Sequence, residues 1–440
     1  MDRVPLQLRT WFACLSRLVR TTGEESVSHF VIAAICFCGL FLSELAAQPP
    51  NAAIERLLGE QSSAGGVPEL ASTPDQWVEA RWNDASQSGS DGIQVAPMYY
   101  ADLLTNTRGG RSTNDATQYF GLIDLPVSID FERVGLFLPG RAFLRAQNTH
   151  GRGLTTDFVG DSLVVSDIDS FRNIMQVSEY WWEVGAADGP FRLRVGKQDV
   201  NTEFIHMELA TDFVQSSFEL TPTAVLPSYP HPAMGAVALG QIADSVQLKL
   251  GVWDALGTGG GWGISGTGTC LLISELEYHY ALGERRLPGS LSTGAAYLTR
   301  GEVGGEKFGA VQGFSFQLEQ AVFQEDSSGS DAAQGLAVFA AYYPRFREAP
   351  VLSHAIGTSV AAGVVYTGLI TQRDQDVLGV GLSSAELFQG GTNRETVVEL
   401  FYKAQLTPRF SIQPDLQYIS TPSGIYRDSL VGGVRVQLGF

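Results

Sequence analysis

From Val434 to Phe440 apolar side chains fall at every second position, with Arg435, Gln437 and Gly439 between them. Successive side chains of an extended strand point to opposite faces, so this spacing predicts one apolar face and one polar face. Two environments supply such a pair. A soluble sandwich buries one face and wets the other. A barrel strand that crosses a bilayer turns Val434, Val436, Leu438 and Phe440 to hydrocarbon and Arg435 and Gln437 to a water-filled lumen. These seven residues alone fit both.

The same alternation recurs upstream. It is cleanest at Val246, Leu248, Leu250 and Val252, at Val398, Leu400, Tyr402, Ala404 and Leu406, and at Phe410, Ile412, Pro414, Leu416 and Tyr418, each set separated by polar residues or glycine. Pro414 weakens the last of these, because proline inside a strand belongs at edges and bulges. Sixteen candidate strands follow: 92–104, 117–130, 133–147, 174–187, 190–198, 235–243, 245–255, 271–282, 289–299, 309–321, 333–344, 354–366, 377–388, 395–406, 410–420 and 428–440. Beyond Ala47 no apolar run approaches the ~18 residues of a helical span, and the mean hydropathy lies near zero. Alternating strands escape a hydropathy test, since each averages to neutral.

Link lengths separate the two environments. The tightest links, Phe131-Glu132, Asp188-Gly189, Asp244 and Thr407-Pro408-Arg409, fall on one side of the strand sequence, and the longest, 148–173, 199–234 and 256–270, on the other. A barrel with both ends in the periplasm has short turns on that side and long loops outside. The acidic link 321–333 runs against this sorting. Aromatics near strand ends, Tyr99-Tyr100, Trp181-Trp182, Trp253, Tyr278 with Tyr280 and Tyr342-Tyr343, suit girdles at the lipid headgroups.

The N-terminus carries Arg3, Arg9, Arg17 and Arg20, an apolar run from Phe30 to Leu42, and Leu45-Ala46-Ala47-Gln48 before Pro49-Pro50. This reads as an export signal over 1–47 with cleavage after Ala47. Residues 48–90 then read as a periplasmic linker or tail and 91–440 as the barrel. The fold class is all-β: a transmembrane antiparallel β-barrel of sixteen strands behind a cleaved signal segment. Export into the outer membrane of a Gram-negative-type envelope follows. Of four cysteines only Cys270 lies beyond the signal, so the exported part has no internal disulfide framework. A net charge of −18 argues against a nucleic-acid partner.

Parity also assigns the lumen. If Leu136, Leu138, Ala142 and Leu144 face lipid, Arg141, Phe143 and Arg145 face inward. If Tyr180, Trp182 and Val184 face out, Glu179, Trp181 and Glu183 face in, and Arg192 and Arg194 do so opposite Phe191, Leu193 and Val195. Arginine, glutamate and arginine rows would then share one wall. Guanidiniums and carboxylates hydrogen-bond vicinal hydroxyls, and an aromatic ring can stack on a pyranose. An ordinary wet lumen with neutralised charge is the plainer reading. The segment 199–234 is the candidate constriction loop, with Asp199, Asn201, Glu203, His206, Glu208 and Asp212 as its polar groups and Phe204, Phe213, Phe218 and Tyr229 as anchors. A surface lid is its alternative.

Enzyme signatures are weak. Gly160-Asp161-Ser162-Leu163 resembles an esterase start, yet no histidine has an aspartate three residues before it. Gly261-Trp262-Gly263-Ile264-Ser265-Gly266 lacks the strand-turn-helix context of a dinucleotide loop. The histidines 29, 150, 206, 231, 279 and 354 show no metal-ligand spacing. No cofactor or metal is expected. The loop carboxylates Asp157, Asp161, Asp167 and Asp169 read as solvated charge.

Several strings together resemble the carbohydrate-selective porin family, OprB type: Phe191-Arg192-Leu193-Arg194-Val195-Gly196-Lys197-Gln198-Asp199 followed by Asn201, Phe204 and Phe213; Leu226-Pro227-Ser228-Tyr229-Pro230 leading to Ala233-Met234-Gly235; and Gln413-Pro414-Asp415-Leu416-Gln417-Tyr418-Ile419. Gly109-Gly110, Asp130 and Asn148-Thr149-His150-Gly151 agree, so the similarity spans residues 75 to 440. The resemblance implies a sixteen-stranded outer-membrane channel for facilitated diffusion of mono- or oligosaccharides, with sugars and outer-membrane lipid as its partners. It leaves monomer and homotrimer open. A general or ion-selective porin on the same barrel, or a barrel with a structural or enzymatic role, are the alternatives. By resemblance to outer-membrane barrels, Phe440 is the recognition residue for the barrel-assembly machinery. Deleting Phe440 is therefore expected to lower the membrane yield of heat-modifiable protein while leaving the selectivity of the inserted fraction unchanged; normal yield with altered sugar preference would contradict this role.

Overall fold

The computed structural model describes residues 92–440 apart from 186–189, 221–226, 258–260, 326–333, 345–355 and 389–393. The export signal, the linker to residue 90 and the Asp188-Gly189 turn lie outside the described residues.

Sixteen strands form the wall. The first eight are β1 (Met98–Gly110), β2 (Thr117–Asp130), β3 (Arg141–Gly151), β4 (Ile174–Val184), β5 (Phe191–Gln198), β6 (Ala233–Ala243), β7 (Val246–Asp254) and β8 (Cys270–Leu282). The second eight are β9 (Leu287–Leu298), β10 (Val311–Gln324), β11 (Gly335–Tyr343), β12 (Ile356–Thr367), β13 (Val377–Leu387), β14 (Arg394–Thr407), β15 (Phe410–Ser420) and β16 (Arg427–Gly439). Each pairs antiparallel with its sequence neighbours, and β16 pairs with β1, Val434 opposite Leu103 and Gly439 opposite Met98. The sheet is closed. Closure satisfies every strand edge within the wall, which hydrocarbon requires because it offers no hydrogen bonds. A short strand, Ile93–Val95, pairs with β2 beyond the start of β1.

Side-chain burial is inverted relative to a soluble domain. Leu103, Ile123, Leu144, Trp182, Leu250, Phe316, Leu382 and Leu416 are exposed on the outer face, whereas Asp102, Glu183, Arg194, Lys249, Glu275, Glu399 and Arg435 are buried inside. Water-exposed leucines with buried arginines would be costly in solution. In a bilayer the apolar face is the solvated one.

One rim carries both ends of the barrel and the short links 244–245, 283–286 and 408–409; the opposite rim carries 152–173, 199–232 and 255–269. The link expected at Phe131-Glu132 is longer. Residues 131–140 form an irregular turn in which the Asp130 carboxylate accepts the Arg133 N–H (3.0 Å) and the Leu136 N–H donates to the Phe131 carbonyl (2.8 Å). Gly140 closes it at φ +86°, where a Cβ would lie 2.0 Å from the Glu183 carbonyl oxygen. Leu136 and Leu138 alternate like strand residues, but the turn removes them from β3. The girdle expectation holds for some of these aromatics and not for others. Trp182, Tyr278 and Tyr342 are exposed outside, while Trp253 and Tyr343 are buried inside the barrel. Pro414 sits within β15 opposite Val434 of β16, and the pairing of β14 with β15 skips it, in keeping with its missing N–H.

Gly196 lies where β5 crosses closest to β4. Its φ is +153°, and a Cβ there would fall 2.3 Å from the Tyr180 carbonyl oxygen and 2.5 Å from the Trp181 Cα. Gly240, by contrast, has only the Leu248 carbonyl oxygen at 3.9 Å. Gly196→Ala is expected to lower the temperature at which the barrel loses its folded electrophoretic mobility and Gly240→Ala to leave it unchanged; equal shifts would show that the close approach is not limiting.

Candidate functional site

The wall of β2 to β5 carries a ladder of opposite charges. Register sets Arg141 of β3 opposite Glu183 of β4 and Phe143 opposite Trp181, with Arg194 of β5 opposite Glu183. Glu183 receives Arg141 Nη2 (3.0 Å), Arg194 Nη2 (2.8 Å) and Arg192 Nη1 (3.5 Å). Arg145 Nη1 lies 2.7 Å from Glu179 and its Nε 3.3 Å from Asp124. Four guanidiniums therefore share this wall, and all eight residues expected to line the pore are brought together on it.

Between the charges lies an aromatic pair. Phe143 stacks on Trp181 with centroids 4.8 Å apart and planes 19° apart. The Arg194 guanidinium lies 4.0 Å from the Trp181 centroid, approaching from β5, and Arg145 lies 5.7 Å from that of Phe143. Trp181 is thus covered from both neighbouring strands. Delocalised cations are attracted to ring faces, so the rings act as a mount that orients the guanidiniums. Exposure decides what a solute meets: the side chains of Arg141 and Arg145 are each 21 % exposed, those of Glu183 and Glu179 only 3 %. The lumen sees arginine edges, with carboxylates behind them.

Residues 199–220 of the link fold into the barrel and are bound by its inner wall. Carboxylates on four strands accept its backbone N–H groups: Glu179 from Asp199 (3.2 Å), Glu275 from Ile205 (2.8 Å), Glu319 from Leu209 (2.6 Å), and Glu399 from Val214 (2.7 Å) and Gln215 (3.0 Å). Cations bind it as well. Arg194 Nη1 meets Glu203 (2.7 Å), Lys249 Nζ donates to the Glu203 carbonyl (3.0 Å), and Lys403 Nζ reaches Asp212 (2.6 Å). Phe204 packs edge-on against Trp253, and Phe213 stacks on Phe218 at 4.4 Å while its edges meet Phe339 and Phe401. The apolar core of this protein is inside the barrel, built by a loop.

The six polar loop residues divide between two places. Asp199, Asn201 and Glu203 adjoin the arginine wall; His206, Glu208 and Asp212 lie further round, towards β10 and β14, with His206 Nε2 3.9 Å from Glu208. Burial, reinforced by Glu179, pushes the Asp199 carboxyl up to about 7, against the stabilising N–H groups of Asn201 and Tyr229. Burial also raises Glu219 to about 8, and Asp167 adds to the effect. Burial lowers His206, against the pull of the carboxylates of Glu319, Glu277 and Glu275. Sequence reasoning missed Lys249, Glu275, Glu319, Glu399 and Lys403 as loop ligands. Lys249, Glu399 and Lys403 occupy polar positions of the clearest alternating strands, but alternation shows only that a residue faces inward.

A closed barrel with an apolar outer wall and a narrowed, charge-lined interior defines a membrane channel. The family described as "Carbohydrate-selective porin, OprB family" matches residues 114–440, and the chain belongs to it. Porin B of Pseudomonas aeruginosa is 22% identical over 437 residues, covering 86% of this chain and 94% of that protein. The high-pH structure of Pseudomonas putida OprB superposes with a TM-score of 0.69 at 19% identity, covering 83% of this chain and 97% of the other. The low-pH structure gives 0.52 at 16% identity, covering 85% and 100%. The outer membrane is accordingly the site of this protein.

Asp199 ties the loop to pH. A carboxyl raised in the folded state holds a proton there that it would lose when released, so loop attachment is strongest at low pH and weakens as pH rises through about 7. The folded mobility of the barrel is expected to survive to higher temperature at pH 5 than at pH 8, with a slope of at most about 1.4 kcal/mol per pH unit from this group. Asp199→Asn should flatten that slope; an unaltered slope would place the titration elsewhere.

Proposed function

We propose that this chain conducts carbohydrates, mono- or oligosaccharides, by facilitated diffusion along the β2–β5 wall. The observation that carries this reading is the presentation of Arg141 and Arg145 edges to the lumen over buried glutamates. Each guanidinium keeps donors in a fixed plane, and two parallel donors match the spacing of neighbouring hydroxyls. Arg141, Arg145, Arg192 and Arg194 face Asp124, Glu179, Glu183 and Glu203, four against four. That balance favours neutral polyols over ions of either sign. Arg141, Arg145 and Arg192 are the sugar-contacting groups, with Trp181 lying under Arg141 and Phe143 under Arg145. Asp199, Asn201 and Glu203 narrow the path from the loop side.

An ion-selective pore is the second reading, and the favoured one is distinguished from it by cargo. In planar bilayers, sugars added to either side should block the potassium chloride current in a saturable way, and liposomes should swell faster in sugars than in amino acids of matched size. Arg141→Gln and Arg145→Gln should each weaken half-block by roughly tenfold, the effect of losing about 1.4 kcal/mol of charge-assisted hydrogen bonding. Current without any sugar block would support the ion channel instead.

A further inference from the structure

On the rim that carries both ends of the barrel, two turns differ from their neighbours. The short links there are polar, as in Asp244-Ser245 and Glu284-Arg285-Arg286. Residues 131–140 and 368–376 form longer turns, and each carries apolar side chains: Leu136, Phe137 and Leu138 in the first, Leu369 and Ile370 in the second. Phe137 is 94% exposed, and the other four stand close to half exposed. Both turns are shaped by their own backbone. In the first the Val134 N–H donates to the Asp130 carbonyl (3.1 Å); in the second the Gly368 N–H donates to the Asp376 carbonyl (2.9 Å) and the Arg373 N–H to that of Ile370 (2.9 Å).

Each turn is fastened to an aromatic residue on the outer face of the wall. Trp182 projects outward from β4, and its indole N–H donates to the Pro139 carbonyl (3.1 Å). Tyr402 shares the outer face of β14 with Leu400, and its hydroxyl donates to the Asp376 carboxylate, which also receives the Gln405 N–H (2.9 Å) and Arg373 Nε (2.7 Å). Indole and phenol groups on such a face sit at headgroup level, with their polar edges turned from the hydrocarbon. A turn tied to that edge continues the lipid-facing surface of the wall. The wall beside the first turn is short of such surface: on β5 the outward apolar residues run only from Phe191 to Val195, about 13 Å of strand, before Lys197, the partner of outward Tyr180. Hydrocarbon is ~30 Å thick.

We propose that the turns 131–140 and 368–376 dip into the periplasmic leaflet and bind its acyl chains, so that together they fix the depth of the barrel in the bilayer. The proposal rests on the membrane placement of the fold, and the cargo of the channel does not enter it. Continuity with the lipid-facing wall, through Trp182 and Tyr402, names the occupant. In water a phenylalanine between two leucines would carry the cost of hydrating its whole apolar surface, and exposed apolar clusters of this kind mark contact surfaces. Acyl chains at the foot of the wall remove that cost. Ten wall strands separate the two turns in one direction and six in the other, so the rim is held at two well-separated points.

The test is the collision accessibility of nitroxide labels in the exported chain carrying Cys270→Ser, with folded heat-modifiable migration, in vesicles of phosphatidylethanolamine and phosphatidylglycerol. Labels at Phe137→Cys and Ile370→Cys should meet oxygen, which concentrates in hydrocarbon, more often than a water-soluble nickel chelate, as a label at the wall position Leu250→Cys should. Glu306→Cys, in the outer hairpin Gly301–Phe308, should show the reverse order. Phe137→Ser together with Ile370→Ser should lower the oxygen-to-nickel ratio of a label at Tyr278→Cys, on the outer face, roughly twofold, because the rim then slips towards water. Water-like accessibility at either turn would overturn the proposal. Labels shielded from both reagents would overturn it too, since protein, either the segment before Gly92 or a second copy, would then cover the turns. An unchanged ratio at Tyr278 would overturn the control of depth. If the double serine variant fails to assemble, the two single variants are read in the same way.

Discussion

Backbone N–H groups decide this structure twice. In the wall they must be paired strand to strand, because hydrocarbon accepts no hydrogen bond, and only a closed sheet leaves none over. The pairing of β16 with β1 meets that demand. Inside, two long links carry irregular backbone through a space where water is scarce. Their N–H groups are taken up by carboxylates of the inner wall, Glu179, Glu275, Glu319, Glu395 and Glu399. A carboxylate can accept several N–H groups at once, which suits a loop whose donors point in different directions. The acidity of the chain, −18 overall, thus has a structural use.

The inner wall is accordingly specialised by sector. From β2 to β5 arginines are interleaved with glutamates and backed by Phe143 and Trp181, and the arginine edges remain in contact with the lumen. From β7 round to β1 the inward charges are spent on loops, and aromatic side chains such as Trp253, Phe339 and Phe401 fill the spaces between them. Buried ion pairs add little net stability, because desolvation offsets their attraction, but they fix geometry. In the first sector the fixed object is a row of donors. In the second it is the backbone of the loops.

Much of this was legible in the residues, and the boundary of legibility is physical. Alternation reveals the face on which a side chain lies, so the inward placement of Arg141, Glu183 and Arg194 and the outward placement of Leu144 and Trp182 could be read directly. It fails where a local turn breaks the strand, as at Leu136 and Leu138, whose apolar spacing is overridden by the Asp130 turn. It is also silent about depth. Trp253 and Tyr343 look like girdle residues beside Tyr278 and Tyr342, and only parity with respect to an aromatic loop core separates them. The aromatic and acidic content of 199–234 pointed to a loop with anchors. Nothing comparable marks 152–173, since its attachment runs through its own backbone amides and through Arg435, 268 positions beyond Asp167, which alternation shows only as a lumen-facing cation.

Those two attachments give a wide scaffold a partly filled interior. A sixteen-stranded barrel with an unobstructed interior would hold a broad aqueous pore. Both loops are instead held by inward side chains of many strands, from Glu179 and Arg194 on β4 and β5 to Glu395 and Glu399 on β14. The entropy cost of holding the loops is met by an apolar core of the kind that soluble domains keep at their centre, with Phe213 packed against both Phe218 and Phe401. The protein therefore has two interiors, a dry one that fixes the loops and a wet one that carries cargo, and the arginines on either side, Arg435 in the first and Arg141 in the second, differ only in which of them each one faces.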